Sequence, residues 1–110
     1  MFGLFAKKEM NEAAAKAFWE WFSQKEEWII ASINSKDSNS SDVIWAIDAQ
    51  IKPVFPYRKR ELEFLLGFND GKGEFFFYHF GDRNLKRDAA TLASMMPANI
   101  AERWKFIAEK

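Results

Sequence analysis

The chain has 110 residues, 48% hydrophobic and 29% charged, with 16 basic and 16 acidic side chains and no cysteine. That length reads as one domain over residues 1–110, able to bury a core without metal or disulfides. The lack of cysteine excludes a disulfide framework, a thiolate zinc site and a cysteine nucleophile, and zero net charge removes the basic footprint of a nucleic-acid binder.

The aromatic content stands out: 12 Phe, 5 Trp and 2 Tyr make 17% of the chain. Each such ring buries a large area, so the excess points to a very aromatic core or to exposed aromatic surface. At the N-terminus, Met1–Ala6 precedes Lys7 and Lys8. That order is the reverse of a signal peptide, and the segment reads as a frayed end whose Phe residues dock on the body. No run approaches the roughly 20 apolar residues of a membrane span. A cytoplasmic protein is expected, and the absence of cysteine fits a reducing compartment.

In chain order, Lys7 to Ile33 has helical periodicity. Asn11, Ala14, Phe18, Phe22, Lys25 and Ile29 fall on one line at ~100° per residue, flanked by Met10, Trp21 and Trp28 on one side and Ala15 and Ile33 on the other. Glu12, Lys16, Glu20, Ser23 and Glu27 form the solvent face, where the Glu12–Lys16 and Lys16–Glu20 spacings suit exposed ion pairs. The centre of this pattern is Phe18-Trp19-Glu20-Trp21-Phe22. Phe18, Trp21 and Phe22 are assigned to the core and Glu20 to solvent. Trp19 falls off the line beside Glu26 and Ile30, which predicts a place at the rim.

Asn34 to Ser41 is a polar loop by composition. Ser40 or Ser41 suits a helix cap and Asp42 a first turn. The spacing of Ile44, Ile47 and Ile51 predicts a second helix over 43–51, stopped by Pro53 and Pro56. Leu62, Phe64, Leu66 and Phe68 alternate onto one face of a strand. Asn69-Asp70-Gly71-Lys72-Gly73 carries hairpin-turn chemistry, with two glycines able to take φ > 0. In the next strand Phe75, Phe77 and His79 share one face and Phe76, Tyr78 and Phe80 the other. With apolar residues on both, both faces are expected to be largely covered. Gly81 to Asn84 breaks the strand, and a third helix over 85–96 places Leu85, Ala89, Leu92 and Met96 on a stripe ended by Pro97. The last segment is ambiguous: Ile100, Trp104, Ile107 and Ala108 fit a helix, whereas Trp104, Phe106 and Ala108 fit a strand.

The Phe18–Phe22 aromatic helix, the hairpin, Met95-Met96-Pro97 and Trp104-Lys105-Phe106 together resemble a group of uncharacterised bacterial proteins. These open with an FWxWF helix and later carry a helix ending in Pro, followed by a Trp that begins a strand. The resemblance implies a cytoplasmic domain with no assigned activity and a strand over 103–108. The fold class is then α+β, in the order helix-helix-strand-strand-helix-strand, with a small three-stranded, mostly antiparallel sheet packed against helices.

Catalytic constellations are sparse. His79 is the only histidine, and in so aromatic a strand a structural imidazole is the ordinary role. No Gly-x-Ser-x-Gly elbow exists, the Asn69–Gly73 turn lacks the ligand spacing of a calcium loop, and no metal site or cofactor is expected. Lys72–Phe80 superficially resembles the RNA-binding strand of RRM domains, but Glu74 stands where an aromatic is needed. Arg58-Lys59-Arg60 is a short basic run beside Glu61 and Glu63. The leading expectation is a non-catalytic protein-interaction or adaptor domain, with a protein partner or homo-oligomer. The second is a small-ligand binder or unrecognised enzyme with an aromatic pocket between the first helix and the sheet. Trp19, Arg58, Tyr78 and His79 are its candidate binding residues.

Overall fold

The computed structural model describes residues 9–34 and 39–108, with backbone only at 39 and 40; the end expected to fray, Met1–Ala6, lies outside them. The elements are α1 (Glu12–Asn34), α2 (Asn39–Ile51), a 3-10 turn (Lys52–Val54), β1 (Glu63–Asn69), β2 (Lys72–Tyr78), α3 (Arg83–Ser94), α4 (Ala98–Ala101) and β3 (Trp104–Ile107). The α+β class and the element order are those expected, with one short extra helix, α4. The ambiguous last segment is a strand.

The first helix starts at Glu12 rather than Lys7 because Asn11 caps it. The Asn11 side-chain oxygen accepts the Ala14 N–H at 3.0 Å, satisfying a donor that the first turn leaves without a partner. The buried face is Ala15, Phe18, Trp19, Phe22, Glu26, Ile29 and Ser32. This stripe is rotated from the expected line: Lys25 is exposed and Trp21 half-buried, whereas Trp19 and Glu26 are inside. Trp19, expected at the rim, is 2% exposed, and its indole N–H donates to the Leu92 carbonyl at 2.9 Å. α3 thus supplies the acceptor that lets the indole go inside.

α2 begins at Asn39, so Ser40 and Ser41 lie within its first turn rather than at a cap. Val43, Ile47 and Ile51 are buried, and Pro53 sits in the 3-10 turn that ends the helix. Asp70 (φ 54°) and Gly71 (φ 77°) are both left-handed, the signature of a two-residue type I′ hairpin turn. Gly73 is not the second turn glycine but a β2 residue, and its role is packing. A Cβ there would lie 2.4 Å from ring atoms of Trp104.

The sheet order is β1-β2-β3. β1 runs antiparallel to β2, pairing Leu66 with Phe75 and Phe64 with Phe77. β3 runs parallel to β2, pairing Gly73 with Trp104 and Phe75 with Phe106. One face stacks Phe64 on Phe75 (5.2 Å between ring centres) and Phe75 on Phe106 (4.9 Å). α1 covers that face, with Phe22 edge-on to Trp104 at 5.0 Å and Phe18 edge-on to Phe75 at 6.3 Å. Such edge and offset contacts suit the ring quadrupoles.

The opposite face carries Leu65, Phe76, Tyr78 and Ile107. This face is covered less closely than the first: Phe76 and Tyr78 of β2 and Ile107 of β3 are half-buried, and Leu65 of β1 is 57% exposed. A sheet with an antiparallel pair tolerates one wetted face. At the far end, Asp82 caps α3 by accepting the N–H groups of Asn84 (2.8 Å) and Leu85 (3.1 Å). Leu85, Ala89 and Leu92 are buried as expected, together with Asp88. Met96 falls beyond the helix end, and Pro97 forms the cap of α4 as well as following α3.

Candidate functional site

An open, mostly apolar groove of about 570 Å³ lies between α2 and β1. One wall is Ile44, Trp45 and Asp48 of α2, and the other is the chain from Glu61 to Leu65, with Tyr78 at the inner end. Trp45 is 72% exposed and Ile44 38%. The reason lies in helical geometry: Val43, Ile47 and Ile51 commit α2 to the core, and Trp45 then points ~160° away from Ile47. Leu65 is turned outward by the same rule in a strand, because Phe64 and Leu66 face in. The rim is acidic. Asp48, Glu61 and Glu63 line it, and Lys52 bridges Asp48 (2.9 Å) and Glu61 (3.4 Å).

Of the sequence-predicted residues, only Tyr78 lines this groove. Trp19 is a core residue. Arg58 donates to the Lys52 (3.0 Å) and Phe55 (3.2 Å) carbonyls and so clamps the 3-10 turn. His79 is buried at 6% exposure. Its Nδ1 accepts the Gly81 N–H at 3.0 Å, so the proton belongs on Nε2, which is buried and has no partner among the described residues. A separate cleft of about 350 Å³ joins His79 to Lys59, Arg60 and Asp82, with the Arg60 guanidinium 4.4 Å from the Phe80 ring centre. The four residues are therefore not gathered in one site. Between α1 and the sheet, Phe18 meets Phe75 and Phe22 meets Trp104 ring to ring.

Two buried carboxylates escaped sequence reasoning. Glu26, 7% exposed, accepts from Arg103 through Nε (2.6 Å) and Nη2, and from the Trp104 indole at 3.1 Å. Asp88 accepts the Tyr57 hydroxyl at 2.5 Å and is held by the Arg87 guanidinium at 2.8 and 3.0 Å. Burial, and then the bond to Asp88, push the Tyr57 phenol well above its ordinary value. Both clusters join distant chain segments and are satisfied internally, which makes them structural. Tyr57→Phe should cost about 2 kcal/mol, the worth of a hydrogen bond to a buried charge, read as a lower urea midpoint. Because the folded-state phenol is raised, its contribution should be present below the ordinary tyrosine value of about 10 and be lost as pH rises beyond it; the variant should not show that loss.

Among the described residues no group of three His, Asp or Glu side chains is placed to hold a metal ion, and no helix is long and apolar enough to cross a membrane. Fold and groove together define a small α+β fold with one sheet face left partly exposed and an open apolar groove at a strand edge. No protein-family model, curated protein or solved structure matches the chain, so the likeness to FWxWF-helix proteins assigns no family.

Proposed function

We propose that this chain is a non-catalytic protein-interaction domain that engages its partner through the α2–β1 groove. The observation that carries this reading is Trp45. A tryptophan left 72% exposed beside Ile44 and Leu65 is the kind of large, amphipathic anchor that dominates interface energies. Among the described residues Trp45 is more exposed than the other surface aromatics, Phe80 at 43% and Trp28 at 40%. A cytoplasmic location belongs to the same proposal and rests on the cysteine-free composition.

Site-directed photo-crosslinking tests it. Benzoylphenylalanine at position 45 should capture a discrete protein in the cell of origin, whereas the same group at Lys16, on the solvent face of α1, should capture only background. Leu65→Ser should weaken capture at position 45 at least ~5-fold, about 1 kcal/mol of interface energy. Equal capture at positions 16 and 45, or capture indifferent to Leu65, would sink the reading.

A further inference from the structure

We propose that the free edge of β1 receives an extended segment of the partner, one strand wide, with alternating apolar and basic side chains. The inference deepens the interaction reading and rests on it.

The hydrogen-bonding pattern of the hairpin supplies the first argument. A two-residue turn makes Asn69 and Lys72 a mutually hydrogen-bonded pair, so in the observed register Gly67, Leu65 and Glu63 also bond to β2. Phe64, Leu66 and Phe68 must then turn their N–H and C=O groups away from β2. An independent bond confirms the alternation. The Gly73 N–H donates to the Arg103 carbonyl at 2.7 Å, so Gly73 points toward β3 and its partner Phe68 points outward. Among the described residues β1 is a terminal strand of the sheet, which leaves these groups as a template for another strand.

The shape of the groove supplies the second. It is lined by Leu62, Glu63, Phe64 and Leu65 in succession. Successive strand residues belong to opposite faces, so a groove touching Glu63, Phe64 and Leu65 of β1, with Leu62 just before them, runs along the strand's edge. With α2 as the opposite wall, there is room for an extended chain beside β1, with the exposed Trp45 and Leu65 flanking one of its apolar side chains. Strand addition of this kind draws affinity from the main chain and specificity from alternate side chains.

Charge is the third. Asp48, Glu61 and Glu63 outnumber Lys52, so the rim favours basic over acidic side chains.

The test titrates the whole chain, labelled with nitrogen-15, with three acetylated eight-residue peptides. The first alternates lysine and valine, the second glutamate and valine, and the third is the first with alternate backbone nitrogens methylated. The lysine peptide should bind saturably below about 1 mM and slow amide exchange at Phe64 and Leu66 at least ~10-fold; the glutamate peptide should bind at least ~10-fold more weakly, and the methylated one not at all. Failure of the lysine peptide to bind, or equal binding of all three, overturns the proposal. Binding that perturbs Trp45 while leaving Phe64 and Leu66 unprotected also overturns strand addition, but leaves the interaction reading standing on the crosslinking result. A peptide-free dimer with protected β1 amides gives the edge to a second copy and overturns the assigned occupant.

Discussion

Gly73→Ala should lower the stability of this small domain by about 3 kcal/mol, the upper end of the usual cost of overpacking a core. The added Cβ would meet three atoms of the Trp104 ring at 2.4, 2.4 and 2.7 Å, closer than atoms approach. Trp104 has little room to yield. It is 2% exposed, its indole N–H is held by Glu26 at 3.1 Å, and Phe22 stands edge-on to it at 5.0 Å. Gly73 also pairs directly with Trp104 across the parallel ladder, so the strands would have to separate to make room. Urea denaturation reads the loss as a lower midpoint. A double variant combining Gly73→Ala with Trp104→Leu should lose at least ~1 kcal/mol less than the sum of the single changes, because the clash disappears with the indole. A Gly73→Ala protein within ~0.5 kcal/mol of the parent would show that the sheet can open there and that the packing argument is wrong.

Glu26→Ala should cost about 3 kcal/mol. It removes the acceptor of three charge-assisted or buried bonds and leaves the Trp104 indole N–H without a partner, near the low end of the range for breaking a buried ion pair. The low end applies because the Arg103 side chain is 44% exposed and water can take back part of its charge. The pH dependence carries a distinct signature. The hydrogen bond from Arg103 holds the Glu26 carboxyl below its usual value of 4.5; burial opposes this, and the Trp104 bond and the Arg103 charge reinforce it. A carboxyl depressed in the folded state binds its proton more readily when unfolded. The contribution of Glu26 is therefore present above the ordinary glutamate value and is lost as pH falls below it. Thermal melts of the parent should weaken more steeply below about pH 4.5 than those of Glu26→Gln, which has no carboxyl to titrate. Parallel pH profiles for the two proteins would remove Glu26 as a stabilising anion.

Much of the architecture was legible from local chemistry. The alternation of Leu62, Phe64, Leu66 and Phe68, the Asp70-Gly71 turn, the strand break at Gly81 to Asn84, and the Leu85-Ala89-Leu92 stripe depend on residues within a few positions of one another. The Trp45 anchor could have been found in the same way, since it lies off the Val43-Ile47-Ile51 stripe, and Leu65 is outward by parity with its neighbours. The groove that joins Trp45 and Leu65 was not legible, because it depends on where α2 comes to rest beside β1.

Local chemistry set the type and period of the longer elements, because backbone hydrogen bonding and side-chain alternation act over single turns and pairs; it left the last segment between helix and strand and gave no sign of α4. Which sector of α1 turns inward, and the packing role of Gly73, depend instead on how the elements dock. Trp19 and Glu26 read as off-line residues until Leu92, Arg103 and Trp104, more than 70 positions away, supply the acceptor and the donors. Burying a polar group is costly unless it is paired, and those partners are brought to α1 only by the docking of α3 and β3.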